Sequence, residues 1–189
     1  MKKLLIIFIL SLSSFAFTQE LEKPKTNELS SNLLDLVAAG SLNVTYERLL
    51  QNNQSLLIST TLFDTFGYYD AGFIEKNNAF SLKAAYLLYF SDEKNHYGFF
   101  FYPQLKLRSG RITLENYSYY GWSDDFDSSN ESYNIDGVSA GFGLGHKWLF
   151  SDKFSLSIFG EVARDLANRD SFYIDSVEAR FGVNFGIRF

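Results

Sequence analysis

The sequence predicts an eight-stranded antiparallel up-and-down transmembrane β-barrel, and three observations support this fold class. Apolar and polar residues alternate with a period of two over most of the chain, which is typical of strands with two unlike faces. Aromatic residues make up 18% of the 189 residues, and tyrosine and phenylalanine favour strands and membrane interfaces. Short polar connections alternate with long ones, as in barrels with turns on one side of a membrane and loops on the other.

The N-terminal residues 1–18 are typical of a secretory signal peptide. Lys2 and Lys3 precede an apolar run over residues 4–12, and small residues follow it. The run is shorter than the roughly 20 residues that a membrane-spanning helix needs. We therefore expect residues 19–31, which are mostly polar, to form a short periplasmic leader and residues 32–189 to form the barrel.

Eight strands are expected from the alternation. They cover residues 32–37, 41–50, 55–66, 79–90, 97–109, 136–150, 154–164 and 174–189. The connections after the second, fourth and sixth strands are short, and those after the third, fifth and seventh are long. Pro103 lies within the fifth strand, where a closed barrel has no free edge, so we expect a bulge or a missing ladder bond there.

The composition of the two strand faces decides which face points outwards. In the sixth strand one face carries Val138, Phe142 and Leu144, and the other carries Ser139 and Gly141. The mixed face is rich in small residues and has too few charges for a solvated surface. It suits the interior of an eight-stranded barrel, which side chains fill. A soluble lipocalin-like barrel with the apolar face inside is the alternative, but aromatic residues gather near the short turns, as at a membrane interface.

Strand parity places ten charged residues in the barrel interior. They are Asp35, Glu47, Lys83, Lys106, Arg108, Lys147, Glu161, Glu178, Arg180 and Arg188. Because bases outnumber acids in this set, one-to-one pairing is impossible, and the remaining cations are expected near a mouth, in contact with water or bound to anions. The network could serve as a proton or ion path or a gate. A polar plug that holds the barrel rigid is the favoured interpretation, because eight strands leave little lumen.

The last strand carries apolar residues at every second position. They are Phe181, Val183, Phe185, Ile187 and Phe189. This pattern resembles the C-terminal recognition signal of bacterial outer-membrane barrels. Tyr46, Glu47 and Arg48 end an earlier strand before a short polar turn, which resembles small outer-membrane β-barrel families of unknown function that share the architecture of the OmpA transmembrane domain and OmpX. The resemblance implies the bacterial outer membrane, contact with its lipids, and insertion by the outer-membrane assembly machinery.

The longest predicted connection combines aromatic and acidic residues. They are Tyr117, Tyr119, Tyr120, Trp122, Asp124, Asp125 and Asp127. Tyrosine and tryptophan give rigid amphipathic contact surfaces, so this loop could bind a surface ligand. A merely solvated loop, whose first tyrosines extend the strands above the membrane, is the favoured interpretation. The acids lack the spacing of an EF-hand, and no metal site is predicted.

No catalytic residue and no cofactor are predicted. His96 lies in a short turn, and His146 has lipid-facing parity near the same interface, so neither is placed to activate a nucleophile on the outer side. The net charge of −5 argues against a nucleic-acid partner. We expect a non-enzymatic barrel with a structural or surface-interaction role. A lipid-modifying enzyme and a narrow, porin-like pore are the alternatives.

Overall fold

The computed structural model describes residues 25–67, 74–91, 95–118, 127–166 and 177–189. Nine strands and one helix occupy these ranges: β1 (Asn27–Asn32), α1 (Leu33–Ala38), β2 (Leu42–Leu49), β3 (Gln54–Leu62), β4 (Ile74–Phe90), β5 (Gly98–Ser118), β6 (Asp127–Asn134), β7 (Gly137–Phe150), β8 (Phe154–Asp165) and β9 (Val177–Arg188). Among these residues, no helix has the length and apolar character needed to cross a membrane.

The strands close into a barrel by antiparallel pairing. In the order β1, β2, β3, β4, β5, β7, β8 and β9, each strand pairs with the next, and β9 pairs with β1. The described strands therefore form a closed ring. β6 pairs only with β5 and continues the line of β7 beyond a break at Ile135 and Asp136. Counted around the circumference, β6 and β7 are one interrupted strand. The predicted eight-stranded antiparallel up-and-down barrel is therefore confirmed.

The prediction for the first strand is wrong. Residues 32–37 were expected to be extended, but β1 ends at Asn32 and α1 begins at Leu33. β1 lies inside the segment that the sequence assigned to the leader. It was missed because Leu29 is the only large apolar residue on its outward face, so residues 27–32 show almost no alternation.

Strand parity explains why a helix follows β1. Glu28, Ser30 and Asn32 point into the barrel, so an extended continuation of β1 would point Asp35 outwards. The helix breaks this parity and lets Asp35 reach Arg180, an interior residue of β9. The Asn32 side chain caps the helix by accepting a hydrogen bond of 3.0 Å from the Leu34 backbone N–H.

The long connection predicted over residues 110–134 is also largely strand. β5 continues to Ser118 and pairs with β6, while the first part of β4 pairs with β5 on its other side. We name the three-stranded part formed by residues 74–80, 109–118 and 127–134 the projecting sheet. It lies beyond the level at which β7 pairs with β5. The sequence gives no alternation here because neither face carries a continuous apolar row.

Pro103 interrupts one ladder and leaves its register unchanged. β4 and β5 pair at Ala85 with Gln104 and again at Leu88 with Phe101, and the two positions between have no bridge. On its other side Pro103 is the register partner of Phe142. Of the two expectations for this residue, the missing ladder bond is confirmed and no bulge forms there.

Candidate functional site

The lumen holds three groups of charged side chains, stacked along the barrel from the short turns to the opposite end. The basal cluster comprises Glu28, Glu47, Tyr89, Lys147 and Arg188. The Lys147 Nζ atom lies 3.0 Å from Glu28 Oε1 and 2.7 Å from Glu47 Oε2. The Arg188 Nε atom donates to Glu28 Oε2 at 2.8 Å, and the Tyr89 hydroxyl donates to Glu47 Oε1 at 2.6 Å. All five are buried, so every ionised group here has a charged or hydrogen-bonding partner.

The middle cluster joins β4, β5, β8, β9 and α1. The Lys83 Nζ atom lies 2.8 Å from Glu161 Oε2, and the Tyr102 hydroxyl donates to the same oxygen at 2.8 Å. Arg180 lies between two carboxylates: its Nη2 atom pairs with Asp35, and its Nη1 atom lies 3.7 Å from Glu161 Oε1. These contacts cross the lumen, because β4 and β8 are not neighbours in the barrel.

The rim cluster lies nearest the projecting sheet. Lys106 forms an ion pair with Glu178, and the Arg108 Nη1 atom lies 2.9 Å from Glu178 Oε2. Arg108 also approaches Asp165, with 3.9 Å between Nη2 and Oδ2. The Glu178 side chain is 27% exposed, which makes this cluster the most open of the three.

The expected excess of interior cations is wrong. Two acids that parity did not assign to the interior, Glu28 and Asp165, belong to these clusters. Each of the six predicted bases has at least one carboxylate partner among the described residues. Glu28 was missed because β1 was read as leader, and Asp165 because the seventh strand was ended one residue early. The unbalanced charge count was the signal that acids were missing.

A small cavity of about 30 Å³ separates the basal and middle clusters. Its lining combines hydroxyl and amide side chains, including Ser30, Asn43 and Asn184, with the rings of Phe100 and Phe159. Its volume accommodates one or two water molecules. Leu87, Phe100, Tyr102 and Phe159 of this lining also belong to a buried, mainly apolar group in the lumen. Its members are Ala85, Leu87, Tyr89, Phe100, Tyr102 and Phe159.

The remaining predicted residues lie outside this network. Tyr117 belongs to β5 and Asp127 begins β6. Tyr119, Tyr120, Trp122, Asp124 and Asp125 fall outside the described residues. The five residues of the predicted assembly signal lie on β9 and just after it: Phe181, Val183, Phe185, Ile187 and Phe189 are exposed or half-buried on the outer face.

The two histidines have unlike surroundings. His96 is buried in the turn before β5, where its Nε2 atom donates to the Leu50 carbonyl oxygen at 2.6 Å. Burial lowers the pKa of His96 below its ordinary value of 6.5. His146 packs on the outer face between Phe99 and Trp148, with ring centroids 4.8 Å and 4.4 Å away.

Comparison with known proteins gives matches among solved structures alone. No protein-family model matches the chain, and no curated protein matches it. Among solved structures, the N-terminal β-barrel domain of Pseudomonas aeruginosa OprF is 17% identical to this chain, with a TM-score of 0.46. The match covers 86% of this chain and 95% of that domain. The fold assignment therefore rests on the strand pairing described above.

The three charged clusters connect strands on different sides of the lumen. Every carboxylate in the three clusters pairs with lysine or arginine. Glu28 and Glu47 also accept hydrogen bonds from the hydroxyls of Ser155 and Ser55, at 2.8 Å and 2.6 Å. Both serines are buried, so neither hydroxyl faces solvent. Opposite charges that cross a narrow lumen fix the relative positions of strands that do not touch one another.

Proposed function

We propose that this protein is a bacterial outer-membrane barrel with a non-enzymatic, structural or surface-interaction role. Its charged interior acts as a plug, and the projecting sheet together with residues 119–126 presents a contact surface outside the membrane. The membrane location and the external contact surface can be tested by separate experiments.

One observation carries the membrane assignment: the barrel has its polar side chains inside and its apolar side chains outside. Leu105, Leu144 and Phe181 are 59%, 61% and 75% exposed, whereas Ser55 and Asn32 are 0% exposed. Buried polar and charged residues outnumber buried apolar ones about two to one. Water would penalise such an outer surface, whereas the hydrocarbon core of a bilayer solvates it.

The two ends of the barrel suggest its orientation. Three short turns lie at one end, and the projecting sheet extends from the other. In outer-membrane barrels the short turns face the periplasm and the long loops face outwards. The projecting sheet is polar, and β6 pairs with a strand on only one side within the described residues. A free strand edge offers backbone donors and acceptors to an incoming strand.

Membrane fractionation tests the first part. The protein should stay in the membrane after a carbonate wash, dissolve in detergent, and migrate differently on a gel before and after boiling. Release by carbonate alone would contradict the proposal, because a protein that is only adsorbed is released by such a wash.

Epitope insertion tests the orientation and the surface role. A tag inserted between Ser118 and Asp127 should bind antibody on intact cells, whereas the same tag in the turn at residues 151–153 should bind only after the outer membrane is opened. The reverse result would place the projecting sheet in the periplasm and remove it as a cell-surface ligand site.

The aromatic end of β9 supports a role in assembly. The Phe189 backbone N–H and C=O both bond to Asn27, and its side chain is 60% exposed. We expect Phe189→Ala to lower the amount of protein that reaches the outer membrane and to leave refolding from urea into detergent intact. An unchanged outer-membrane yield would reject this role, as would failure to refold in detergent.

The pore alternative has a direct test. Apolar rings and cross-lumen ion pairs fill the described lumen, and the cavity between the clusters is only water-sized. We therefore expect planar bilayers to remain silent at high protein load. The enzyme alternative predicts that a strain without the gene has altered lipid acyl chains. It also predicts that the wild-type gene restores these chains and that the Glu161→Gln variant does not.

A further inference from the structure

The barrel wall is incomplete beside β1. β1 has six residues, fewer than the roughly 9–11 that a membrane-crossing strand needs. It pairs with residues 184–188 of β9 and residues 45–48 of β2. Residues 177–183 of β9 and 42–44 of β2 therefore have no strand between them within the described ladder. An open strand edge is costly in hydrocarbon, so another element must cover it.

The helix α1 covers this gap. It follows β1 directly and contacts both β9 and β2. None of its six residues is buried, and Leu33, Leu34 and Val37 are 39%, 44% and 73% exposed. Apolar packing therefore contributes little to holding it. Its polar ties include the Asn32 cap, the Ser41 N–H bond to the Asp35 carbonyl, and the Asp35–Arg180 ion pair.

Polar groups without partners lie behind α1. Asn32 and Asn184 are register partners in β1 and β9, and the Asn32 Nδ2 and Asn184 Oδ1 atoms are buried without a hydrogen bond. Asn32 is 0% exposed. Asn184 and Arg180 both line the cavity between the basal and middle clusters. The gap thus leads from the bilayer to a basic side chain and unsatisfied amides.

We propose that α1 is a displaceable plug over a lateral binding site, and that the site takes a single-chain membrane amphiphile ending in a carboxylate. Arg180 is the residue that binds the carboxylate. In the structure the Asp35 carboxylate occupies that position and excludes the ligand. The acyl chain lies in the bilayer against the outer face of β9 near Phe181, which is 75% exposed. This inference rests on the proposed membrane location.

A spin label on α1 provides the test. The chain has no cysteine, so Val37→Cys places a single label on a strongly exposed residue of the helix. The labelled protein in a non-ionic detergent is titrated with oleate and, separately, with oleyl alcohol. We expect oleate to increase the mobile fraction of the label and the alcohol to leave it unchanged.

Two variants assign the effect to the ion pair. Asp35→Asn removes the charge that competes with the ligand and leaves Arg180 with the more distant Glu161, so it should tighten oleate binding at least tenfold, which corresponds to about 1.4 kcal/mol. Arg180→Gln should abolish the oleate response. The matched controls, Asp152→Asn in a short turn and Arg48→Gln at the opposite end of the barrel, should leave it unchanged.

Three outcomes would overturn the proposal: an equal response to oleate and oleyl alcohol, a wild-type response in Arg180→Gln, or no gain in Asp35→Asn. Heat-modifiable migration reports the barrel independently in every sample, so loss of the membrane fold is distinguishable from loss of binding. If Asp35→Asn does not fold, the oleate responses of the wild type and of folded Arg180→Gln still test the proposal, because a response in Arg180→Gln equal to that of the wild type would overturn it.

Discussion

At the scale of single residues, Lys147 shows how the interior is held together. Its ammonium group joins carboxylates from two adjacent strands, Glu28 of β1 and Glu47 of β2, across the lumen from β7. It also lies 5.2 Å from the centre of the Tyr89 ring. One side chain therefore links three strands near the seam where the shortest strand closes the barrel.

Removing Lys147 should be among the most damaging single changes. Lys147→Met leaves two buried carboxylates without their common cation, and breaking a buried pair typically costs about 3–5 kcal/mol. Urea unfolding in micelles should show a loss of this size. Lys153→Met, at an exposed turn, should change stability by less than about 0.5 kcal/mol. Equal effects of the two substitutions would show that the basal cluster contributes nothing specific.

His96 should make the stability of the barrel depend on pH. Burial lowers the pKa of His96 in the folded protein, so above the unfolded value of about 6.5 its contribution is complete. The contribution is lost as the pH falls from about 6.5 towards the lowered folded value, because the unfolded chain binds the proton more tightly.

Urea midpoints measured at about pH 7.5 and about pH 5 provide the check on His96. The wild type should lose more stability on acidification than His96→Gln, whose amide can also donate to the Leu50 carbonyl. Identical slopes for the two proteins would mean that the imidazole is as easily protonated in the folded protein as in the unfolded chain.

At the scale of elements, β7 makes room for the rings of β5. Gly143 and Gly145 face the lumen, and a Cβ atom at either position would collide with Tyr102 or Phe100. These two rings stack at 5.9 Å between centroids and belong to the apolar group beneath the middle cluster. Small residues on one strand thus permit large residues on its neighbour.

Gly143→Ala should destabilise the barrel and disturb the middle cluster. The added methyl group displaces Tyr102 from Glu161, and overpacking of this kind costs about 1–3 kcal/mol. Gly160→Ala is the matched control on the outer face, where the nearest atom, Cε1 of the exposed Phe181 ring, is 3.2 Å away and can move. Urea unfolding gives the loss of unfolding free energy in each variant. Equal losses would show that the cost comes from replacing a glycine in the backbone and not from the contact with Tyr102.

At the scale of the whole molecule, the protein has two parts with different physical demands. The described barrel buries its polar groups and exposes apolar ones, as a membrane requires, whereas the segments of the projecting sheet are rich in polar residues, as water requires. Ile112 and Tyr133 are register partners in that sheet, and the pairing of β5 with β6 continues beyond them to Ser118 and Asp127.

Removing the part of the projecting sheet beyond Ile112 and Tyr133 should leave the barrel intact. Replacing residues 113–132 by Asn-Gly joins Ile112 to Tyr133 through a two-residue turn that suits paired strands. The temperature at which heating converts the folded gel band into the unfolded one should stay within a few degrees of the wild-type value, because the deletion removes no residue of the three charged clusters. A large drop in this temperature would mean that the barrel depends on the projecting sheet.

The sequence by itself determined the barrel and most of its interior. Seven of the eight expected strands, the apolar outer face, and the inward parity of Lys83, Glu161 and Arg180 follow from local properties, because side chains in a strand alternate whatever the strand pairs with. The six bases of the three clusters were all found in this way.

Only the tertiary structure decided the first strand, the projecting sheet and the partners of each charge. The sequence of β1 barely alternates, and this segment is a strand because it pairs with β2 on one side and β9 on the other. Which carboxylate meets Lys147 depends on the register and stagger of strands on opposite sides of the lumen. Those distances are set by closure of the whole barrel, and a local pattern contains no information about them.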